Sequence, residues 1–395
     1  MNKFLNLGMR FISATQVFSG KEFLPTNTVL VVNDNGLIEN ITITENVESS
    51  NIEHFEGIIS PGFINTHCHL ELSHLKNVIK HHTGIVDFGL SVMKHRNEFS
   101  MELQQEAMQL ADKEMQIQGI VAIGDISNTN DSIKTKQESD LYYHTFVELI
   151  ALNPERANLV FDIGKQLLSE YSNAQLSASL APHAPYSASL ELIKKITDDC
   201  HHLNKATSIH NQESKAENDF FNSKTGDYLR LYETIKVPIN YFKATEKSSL
   251  RTVISSLNKD INTLLVHNTF SSKDDIETVK GSHQKLYWCL CPNANLFIEN
   301  TLPDVKLFTS GNCKMVIGTD SLASNHSLSI VDELNTLIHH FSWLETGDLL
   351  KWATSNGAKA LNMEDKAGGF IKGKNAGLNL IDRKLGRFEY CRKLA

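Results

Sequence analysis

The chain has 395 residues, of which 41% are hydrophobic, and these values exclude a disordered chain and a small scaffold held by disulfide bonds. The net charge of -8 comes from 46 acidic and 38 basic residues spread along the chain, without a tract rich in Lys and Arg. This distribution argues against nucleic acid as a partner, so we expect a small-molecule ligand. The length fits two or three domains, or one α/β barrel with a smaller domain.

Cysteine usage and the N-terminal sequence both bear on the cellular compartment. The six cysteines, at positions 68, 200, 289, 291, 313 and 391, contain no Cys-x-x-Cys pair, and we expect reduced thiols. The first 20 residues lack a sustained apolar stretch and a small-residue cleavage site, and no run approaches about 18 uncharged apolar residues. We therefore expect a cytoplasmic protein that does not bind membranes.

The two ends of the chain share a pattern of short strands. Residues 1–56 contain alternating runs, TVLVVND and LIENITI, interrupted by Asn and Gly, which is typical of antiparallel strands. Residues 364–395 repeat the pattern in GGFIKGKNAGLNLID. Because neither end holds enough strands for a stable sheet, we predict one small β-sandwich domain built from residues 1–56 and 364–395.

Between these ends, residues 57–363 alternate between β-rich runs and helical patterns. Apolar residues recur at helical spacing between the runs, for instance at Leu190, Ile193 and Ile196. The eight β-rich runs are GIISPGFINTHCH, GIVAIGDIS, LYYHTFVELIAL, LSASLAPHAPYS, ATSIHNQES, NTLLVHNTF, KLYWCLCP and KMVIGTDS. Eight such repeats predict an α/β fold, a TIM (β/α)8 barrel over residues 57–363.

Reactive side chains follow several of these strands, and in such a barrel the active site lies at the carboxyl ends of the strands. The residues at these ends are His67, His69, His183, His210, His267 and Asp320. A His-x-His pair is expected by chance roughly 0.7 times with 17 histidines in 395 residues, so its position directly after an apolar strand carries the argument. Strand alternation also puts His67 and His69 on one face.

A zinc-type metal site is the chemistry that these residues predict. Zn²⁺ favours imidazole nitrogen and carboxylate oxygen, and a catalytic site keeps one coordination position open for water. The residues that could supply such a shell are His67, His69, His210 and Asp320. Glu213 follows three residues after His210 and could pass a proton to a substrate held over the metal.

Six motifs support the prediction of a metal site in a barrel. They follow one another along the chain at intervals that fit successive β/α repeats. They are PGFINTHCHLELS, LAPHAPYS, SIHNQES, LLVHNTF, CPNANLF and GTDSLASN. Together they resemble the amidohydrolase superfamily, in the branch of cytosine, guanine, adenosylhomocysteine and aminodeoxyfutalosine deaminases and triazine hydrolases. The resemblance departs at Ala294, where the family usually has Ser, and in the tail GKNAGLNLID, which lacks the usual Asp.

The resemblance implies a role for each residue at the strand ends. The metal ligands would be His67, His69, His210 and Asp320, while His267 would hydrogen-bond the attacking water. Glu213 would be the proton shuttle. Binuclear members carry a carboxylated lysine at the end of strand four, where this chain has His183, so the resemblance implies one divalent metal ion. Zinc is the expected ion and iron the alternative.

Within the branch, HCHLELS, TGIVDFGLSVMKHR and GDISN look most like the aminodeoxyfutalosine deaminases of menaquinone biosynthesis. This resemblance implies a metal-dependent aminohydrolase that deaminates an adenine-type nucleoside. Asp320 with His267 would remove and orient the proton of the water, and Glu213 would protonate the ring. The residues expected to contact the substrate are His183, Glu71, Asp87, Glu148, Ser324 and Asn325.

Two other functions stay open on the sequence. A related amidohydrolase could act on guanine, cytosine, a triazine or a cyclic amide, and ammonia release against a substrate panel distinguishes these substrates. A remote alternative is a binding protein that has lost catalysis, although no expected ligand is missing and fold alone does not decide function. The sequence also leaves the oligomeric state open, with a homodimer as a candidate.

Overall fold

The structure is a computed structural model that describes residues 8–384 and 386–395. Its strands are β1 Met9–Val17, β2 Thr28–Asn33, β3 Ile38–Ile43, β4 Ile52–Pro61, β5 Phe63–Cys68, β6 Ile120–Ser127, β7 Tyr142–Leu149, β8 Ser177–Pro182, β9 Thr207–Asn211, β10 Thr263–His267, β11 Leu286–Leu290, β12 Lys314–Ile317, β13 Leu378–Lys384 and β14 Arg387–Lys393. Its α-helices are α1 Gly84–His95, α2 Met101–Ile117, α3 Ile133–Glu138, α4 Ala157–Asn173, α5 Leu190–His202, α6 Lys215–Ser223, α7 Tyr228–Thr234, α8 Ser249–Val253, α9 Lys273–Lys280, α10 Pro292–Glu299, α11 Val305–Ser310, α12 Ile330–His340, α13 Thr346–Trp352 and α14 Ser355–Ala360.

The two ends of the chain meet in one six-stranded sheet, in the order β14-β13-β4-β1-β2-β3. β1 pairs antiparallel with β2 and parallel with β4, and β13 pairs antiparallel with β4. Apolar side chains of these strands, such as Ile12, Leu30 and Ile59, pack into a common core. The C-terminal strands therefore complete a sheet that the N-terminal strands begin. The described strands of both ends form this single sheet, and the β-sandwich stays a prediction.

The middle of the chain forms two parallel sheets of four strands, β5-β6-β7-β8 and β9-β10-β11-β12. Most of their residues are buried, as expected for parallel strands covered by helices. The predicted α/β class is confirmed. The sheets also meet at both edges: Cys68 forms a parallel bridge with Asp320, and the amide of His210 donates to the carbonyl of His183 at 2.9 Å.

The first β-rich run, GIISPGFINTHCH, is two strands, so its prediction as one strand was wrong. Its first part, through Pro61, belongs to β4 and pairs with β1 and β13 in the terminal sheet. The chain changes sheet at Gly62, where a Cβ would collide with Val121, and β5 then carries His67. β4 consequently continues past the predicted domain boundary between residues 56 and 57.

The helices between the parallel strands follow the apolar spacing of the sequence. α5 begins after Ser189, whose side chain accepts a hydrogen bond from the amide of Leu192, and it buries Ile193 and Ile196. Leu190, at its first position, is 45% exposed, so the buried face of α5 begins at Leu192 instead. Among the helices of residues 8–384 and 386–395, none is both long and apolar enough to cross a membrane.

The packing around Gly124 in β6 generates a stability prediction. A Cβ there would lie 2.6 Å from the carbonyl oxygen of Thr66 in the neighbouring strand and 3.0 Å from Phe146 Cε2. We expect Gly124→Ala to lower the free energy of unfolding by about 1–3 kcal/mol, because backbone atoms cannot move aside cheaply. Gly281→Ala is the control, since a Cβ there meets nothing within 4 Å. Denaturant titration checks both, and equal stability of the two variants would contradict the packing argument.

Candidate active site

Side chains from both parallel sheets meet at the carboxyl ends of the strands. The Nε2 atoms of His67 and His69 lie 3.2 Å apart. Asp320 Oδ1 lies 3.5 Å from His67 Nε2 and 3.3 Å from His69 Nε2. The ring of His210 is close to the same point, with its centroid 4.9 Å from that of His67. The structure thus brings together the four residues that the sequence predicted as metal ligands.

Hydrogen bonds at the back of two imidazoles fix their tautomers. His210 Nδ1 lies 2.7 Å from the carbonyl oxygen of His183, and this oxygen can only accept, so Nδ1 carries the hydrogen. His267 Nδ1 lies 2.8 Å from Asn295 Oδ1 and donates in the same way. In both rings Nε2 is therefore the nitrogen with the free lone pair. Such a backing hydrogen bond is typical of histidines that bind or face a metal.

Two residues of the site adopt left-handed backbone conformations, which are uncommon outside glycine. His267 has a φ of 76° and Asp320 a φ of 57°. The amide of Asp320 donates to the carbonyl of His67 at 3.0 Å, and Ser324 Oγ donates to Asp320 Oδ2 at 2.5 Å. These contacts hold the strained backbone in place, and strain of this kind is concentrated at functional sites.

The donor set fits a divalent metal ion. Zinc–nitrogen distances of about 2.0–2.1 Å in tetrahedral geometry place two ligand atoms roughly 3.3 Å apart, which matches the separations among His67, His69 and Asp320. Burial lowers the pKa of His69 and of His210, which favours the neutral imidazole that binds metals. Burial by itself raises the pKa of Asp320, but the hydrogen bond with His67 and the nearby His69 and His267 outweigh it, so the net shift is downward.

Glu213 lies beside this donor set as a buried acid. Its Oε1 is 3.5 Å from His267 Nε2, and the residue is 4% exposed. Burial raises the pKa of Glu213 well above its ordinary value, and the nearby carboxylates of Asp320, Glu217 and Glu299 raise it further. A carboxyl group whose pKa is raised holds its proton more tightly, and such a group suits the role of proton donor to a substrate.

Glu217 positions the backbone of Glu213, and the sequence analysis missed it. Its two carboxylate oxygens accept hydrogen bonds from the amides of Gln212 at 3.0 Å and Glu213 at 3.2 Å. Ser214 caps α6 by accepting from the amide of Glu217. The order Ser214-x-x-Glu217 is a local helix-start signal that could have identified this residue.

The site opens into a cavity of about 570 Å³, within the size range of small-molecule pockets. Two of the predicted substrate-contacting residues, His183 and Glu148, line it. His183 Nδ1 is hydrogen-bonded to Ser187 Oγ at 2.5 Å. Glu148 Oε1 is buried without a hydrogen-bond partner and lies 3.6 Å from His210 Nδ1. The cavity therefore combines the metal-type donor set with a carboxylate oxygen that is free to accept a hydrogen bond.

Two of the acidic residues predicted to contact the substrate, Glu71 and Asp87, are absent from the cavity lining. Glu71 Oε2 accepts a hydrogen bond from the amide of Asn128 at 3.0 Å. Asn128, which the sequence analysis missed, lines the cavity and donates from Nδ2 to Glu148 Oε2 at 2.9 Å. Asp87 is exposed and pairs with Arg230 at 2.6 Å. Direct substrate contact by Glu71 and Asp87 stays a prediction.

Ser324 and Asn325 are likewise absent from the cavity lining. The Ser324 hydroxyl is bound to Asp320, and Asn325 Nδ2 donates to the carbonyl of Thr319 at 2.8 Å and to Glu333 Oε1 at 2.7 Å. These contacts fix the segment that follows β12. Their role in binding substrate likewise stays a prediction.

Removal of one ligand tests the metal site. We expect His69→Ala to lower the metal content from about one equivalent to a small fraction, because three ligands remain and the solvent enters the open position. The fold should persist, since residues at the mouth of the strands contribute little to the packed interior. Elemental analysis with circular dichroism checks both points, with the exposed His339→Ala as the control. Unchanged metal content in His69→Ala would contradict the assignment.

Comparison with curated proteins identifies similar chains that cover most of this sequence. An aminodeoxyfutalosine deaminase of a Nitratiruptor species is 26% identical over 357 residues, covering 87% of this chain and 85% of the relative. An adenosine deaminase of Helicobacter pylori is 27% identical over 312 residues, covering 78% of this chain and 75% of the relative.

Solved structures share the fold. Helicobacter pylori aminofutalosine deaminase in complex with methylthio-coformycin has a TM-score of 0.81 at 24% identity, over 95% of this chain and 92% of that chain. An adenosine deaminase from Xanthomonas campestris with bound zinc has a TM-score of 0.72 at 17% identity, over 95% of this chain and 85% of that chain.

A family model decides the assignment. The model described as Amidohydrolase family matches residues 58–391, a range that includes both parallel sheets and the whole site. The resemblance predicted from the six motifs is confirmed. The chain belongs to the amidohydrolase family.

Proposed function

We propose that this protein is a metal-dependent aminohydrolase that removes ammonia from an adenine-type nucleoside. The observation that carries the proposal is the buried carboxyl of Glu213, 3.5 Å from His267 Nε2, beside a metal-type donor set at one end of a cavity of small-molecule size. The similar deaminases support the same reaction. Fold and site together therefore favour an enzyme over a binding protein that has lost catalysis.

The proposal also covers how the two parallel sheets and the terminal sheet are arranged into domains. We infer that the two parallel sheets form one (β/α)8 barrel that begins at β5, with the N-terminal strands through Pro61 and the C-terminal strands β13 and β14 as the small β-domain. The bridge between Cys68 and Asp320 at one junction of the sheets, and the hydrogen bond between His210 and His183 at the other, support closure. Closure would bring all eight strand ends to one rim. The cytoplasmic location and the homodimer stay predictions.

The metal in this proposal is one divalent ion, zinc or alternatively iron. The residues that would hold it are His67, His69, His210 and Asp320. The zinc in the similar adenosine deaminase from Xanthomonas campestris supports zinc. When bound, the ion supplies Lewis-acid activation of water at neutral pH.

The residues of the chain carry the protons of the reaction, in which water replaces an amino group and ammonia leaves. Glu213 donates its proton to the ring nitrogen beside the attacked carbon, so that negative charge does not build on the ring. Asp320, ionised by its neighbours, accepts a proton of the attacking water, and His267 holds that water through Nε2. The proton on Asp320 then passes to the leaving amino group, and Glu213 regains a proton from the new hydroxyl as the C–N bond breaks and the carbonyl forms.

Recognition of the substrate uses the polar residues in the cavity wall. We propose that His183 hydrogen-bonds the base and that Glu148 Oε1, which lacks a partner, accepts a hydrogen bond from the substrate. Glu71 fixes the backbone of Asn128, and Asn128 holds the other oxygen of Glu148. A substrate that leaves Glu148 Oε1 unsatisfied should bind less well, because a buried polar group without a partner is costly.

The proton shuttle has a direct test in Glu213→Gln. We expect this variant to keep its metal and to lose at least about 10²- to 10⁴-fold in kcat, because the amide matches the carboxyl in size but cannot donate an acidic proton. Elemental analysis and an ammonia-release assay measure the two quantities. Glu191→Gln, at an exposed position of α5, is the matched control. A kcat within tenfold of the parent, with metal retained, would assign the shuttle role to another residue.

Substrate preference is tested by kcat/KM for aminodeoxyfutalosine, adenosine, adenine, guanine and cytosine. We expect the nucleosides to exceed the free bases by at least about tenfold, because polar groups that bind the sugar would otherwise lack partners. Preference for aminodeoxyfutalosine would place the reaction in menaquinone biosynthesis. Preference for any free base would contradict the nucleoside proposal and favour a related amidohydrolase activity.

A further inference from the structure

Lys136 is a cation buried beside the end of β6. Its side chain, on α3, is not exposed to solvent. Nζ lies 2.7 Å from Asp125 Oδ2 and donates to Ser127 Oγ and to Thr145 Oγ1, each at 2.9 Å. These three contacts use all three hydrogens of the ammonium group. Lys136 is therefore held in one position, and it fixes the carboxylate of Asp125 in turn.

A contribution to stability does not by itself explain this ion pair. Burying two charges costs free energy, and replacing such a pair with apolar residues of similar volume often leaves stability unchanged or higher. The second carboxylate oxygen indicates another role. Asp125 Oδ1 accepts a hydrogen bond from the amide of Leu70 at 2.8 Å. The ion pair thus reaches the residue directly after His69.

His69 depends on this contact because its ring has no hydrogen bond behind it. β5 ends one residue before His69, so the strand does not extend to it. His210 has a hydrogen-bond partner at Nδ1, whereas the described part of the chain provides none for Nδ1 of His69. The backbone must then place the imidazole. The carbonyl of His69 accepts from the amide of Leu72 at 3.1 Å, and the amide that follows this carbonyl donates to Asp125.

We propose that Asp125, held by Lys136, is a positioning residue for His69. The ammonium group fixes the carboxylate, the carboxylate fixes the amide of Leu70, and this peptide sets where the imidazole of His69 lies in the donor set. The inference rests on the proposed function, which makes His69 a metal ligand. Residues that orient a metal ligand from behind typically contribute about 10- to 100-fold to metal affinity.

The test compares two double variants that both remove the buried ion pair. Asp125→Asn with Lys136→Met keeps an acceptor for the amide of Leu70, because the side-chain oxygen of asparagine can take the place of Oδ1. Asp125→Leu with Lys136→Met has nearly the same shape but no acceptor. We expect the second to bind Zn²⁺ about 10- to 100-fold more weakly than the first. Competition between the zinc-loaded protein and a chelating dye measures both affinities.

Two further variants separate the role of the ammonium group from damage to the fold. Lys136→Met alone leaves the carboxylate without the group that holds it, so we expect its zinc affinity to fall at least about tenfold below that of the parent. Lys165→Met is the control: it makes the same substitution in the ion pair of Lys165 and Asp199, which joins α4 to α5, and should leave zinc affinity unchanged. Denaturant titration shows under which conditions each variant is folded, and affinities are compared there.

Zinc binding does not need turnover, so this inference and the proposed function can fail separately. Equal zinc affinities of the two double variants would overturn the inference, while deamination by the parent would still support the proposed function. If the Asp125→Leu variant does not fold, Lys136→Met decides, and an affinity equal to that of the parent would overturn the inference. A parent that binds zinc but deaminates no nucleoside would contradict the proposed function, and the expected order of affinities would still support the role of Asp125.

Discussion

The hydrogen bonds between the end of β5 and the end of β12 are the constraint on which the whole site depends. The amides of Thr319 and Asp320 both donate to the carbonyl of His67, each at 3.0 Å. Asn65 reinforces this junction, because its Nδ2 donates to Thr319 Oγ1 at 2.7 Å across 254 residues of sequence. Without this junction the paired imidazoles of one sheet and the carboxylate of the other would not share a metal-sized space.

A buried ion pair beneath the site fixes the chain that carries the histidines. Lys136 Nζ lies 2.7 Å from Asp125 Oδ2, and neither side chain is exposed. Asp125 Oδ1 accepts the amide of Leu70 at 2.8 Å, directly after His69. Lys136 also donates to Ser127 and Thr145, each at 2.9 Å. These further hydrogen bonds offset the desolvation cost that an isolated buried pair would carry.

The sequence was sufficient to predict most of the strands, helix α5 and the side chains that meet at the carboxyl ends of the parallel strands. Local patterns can be recognised without knowing the fold. The strand runs and helix α5 are such patterns, and so is the position of His67, His210 and Asp320 after apolar strands. The prediction that Glu213 acts beside the metal ligands came from its position three residues after His210. Glu217 was missed although the order Ser214-x-x-Glu217 signals a helix start, because a carboxylate that caps a helix looks like any solvated acid in the sequence.

By itself, therefore, the sequence determined the α/β class and which histidines and carboxylates follow the parallel strands, since each depends on periodicity or on position at a strand end. Only the tertiary structure decided that residues through Pro61 join the terminal sheet, because their partners in β13 lie at the other end of the chain. It also decided that Asn128 and Gly89 line the cavity while Asp87 pairs with Arg230. Periodicity shows which face of an element is apolar, whereas the neighbour that packs against a given position depends on contacts between distant parts of the chain.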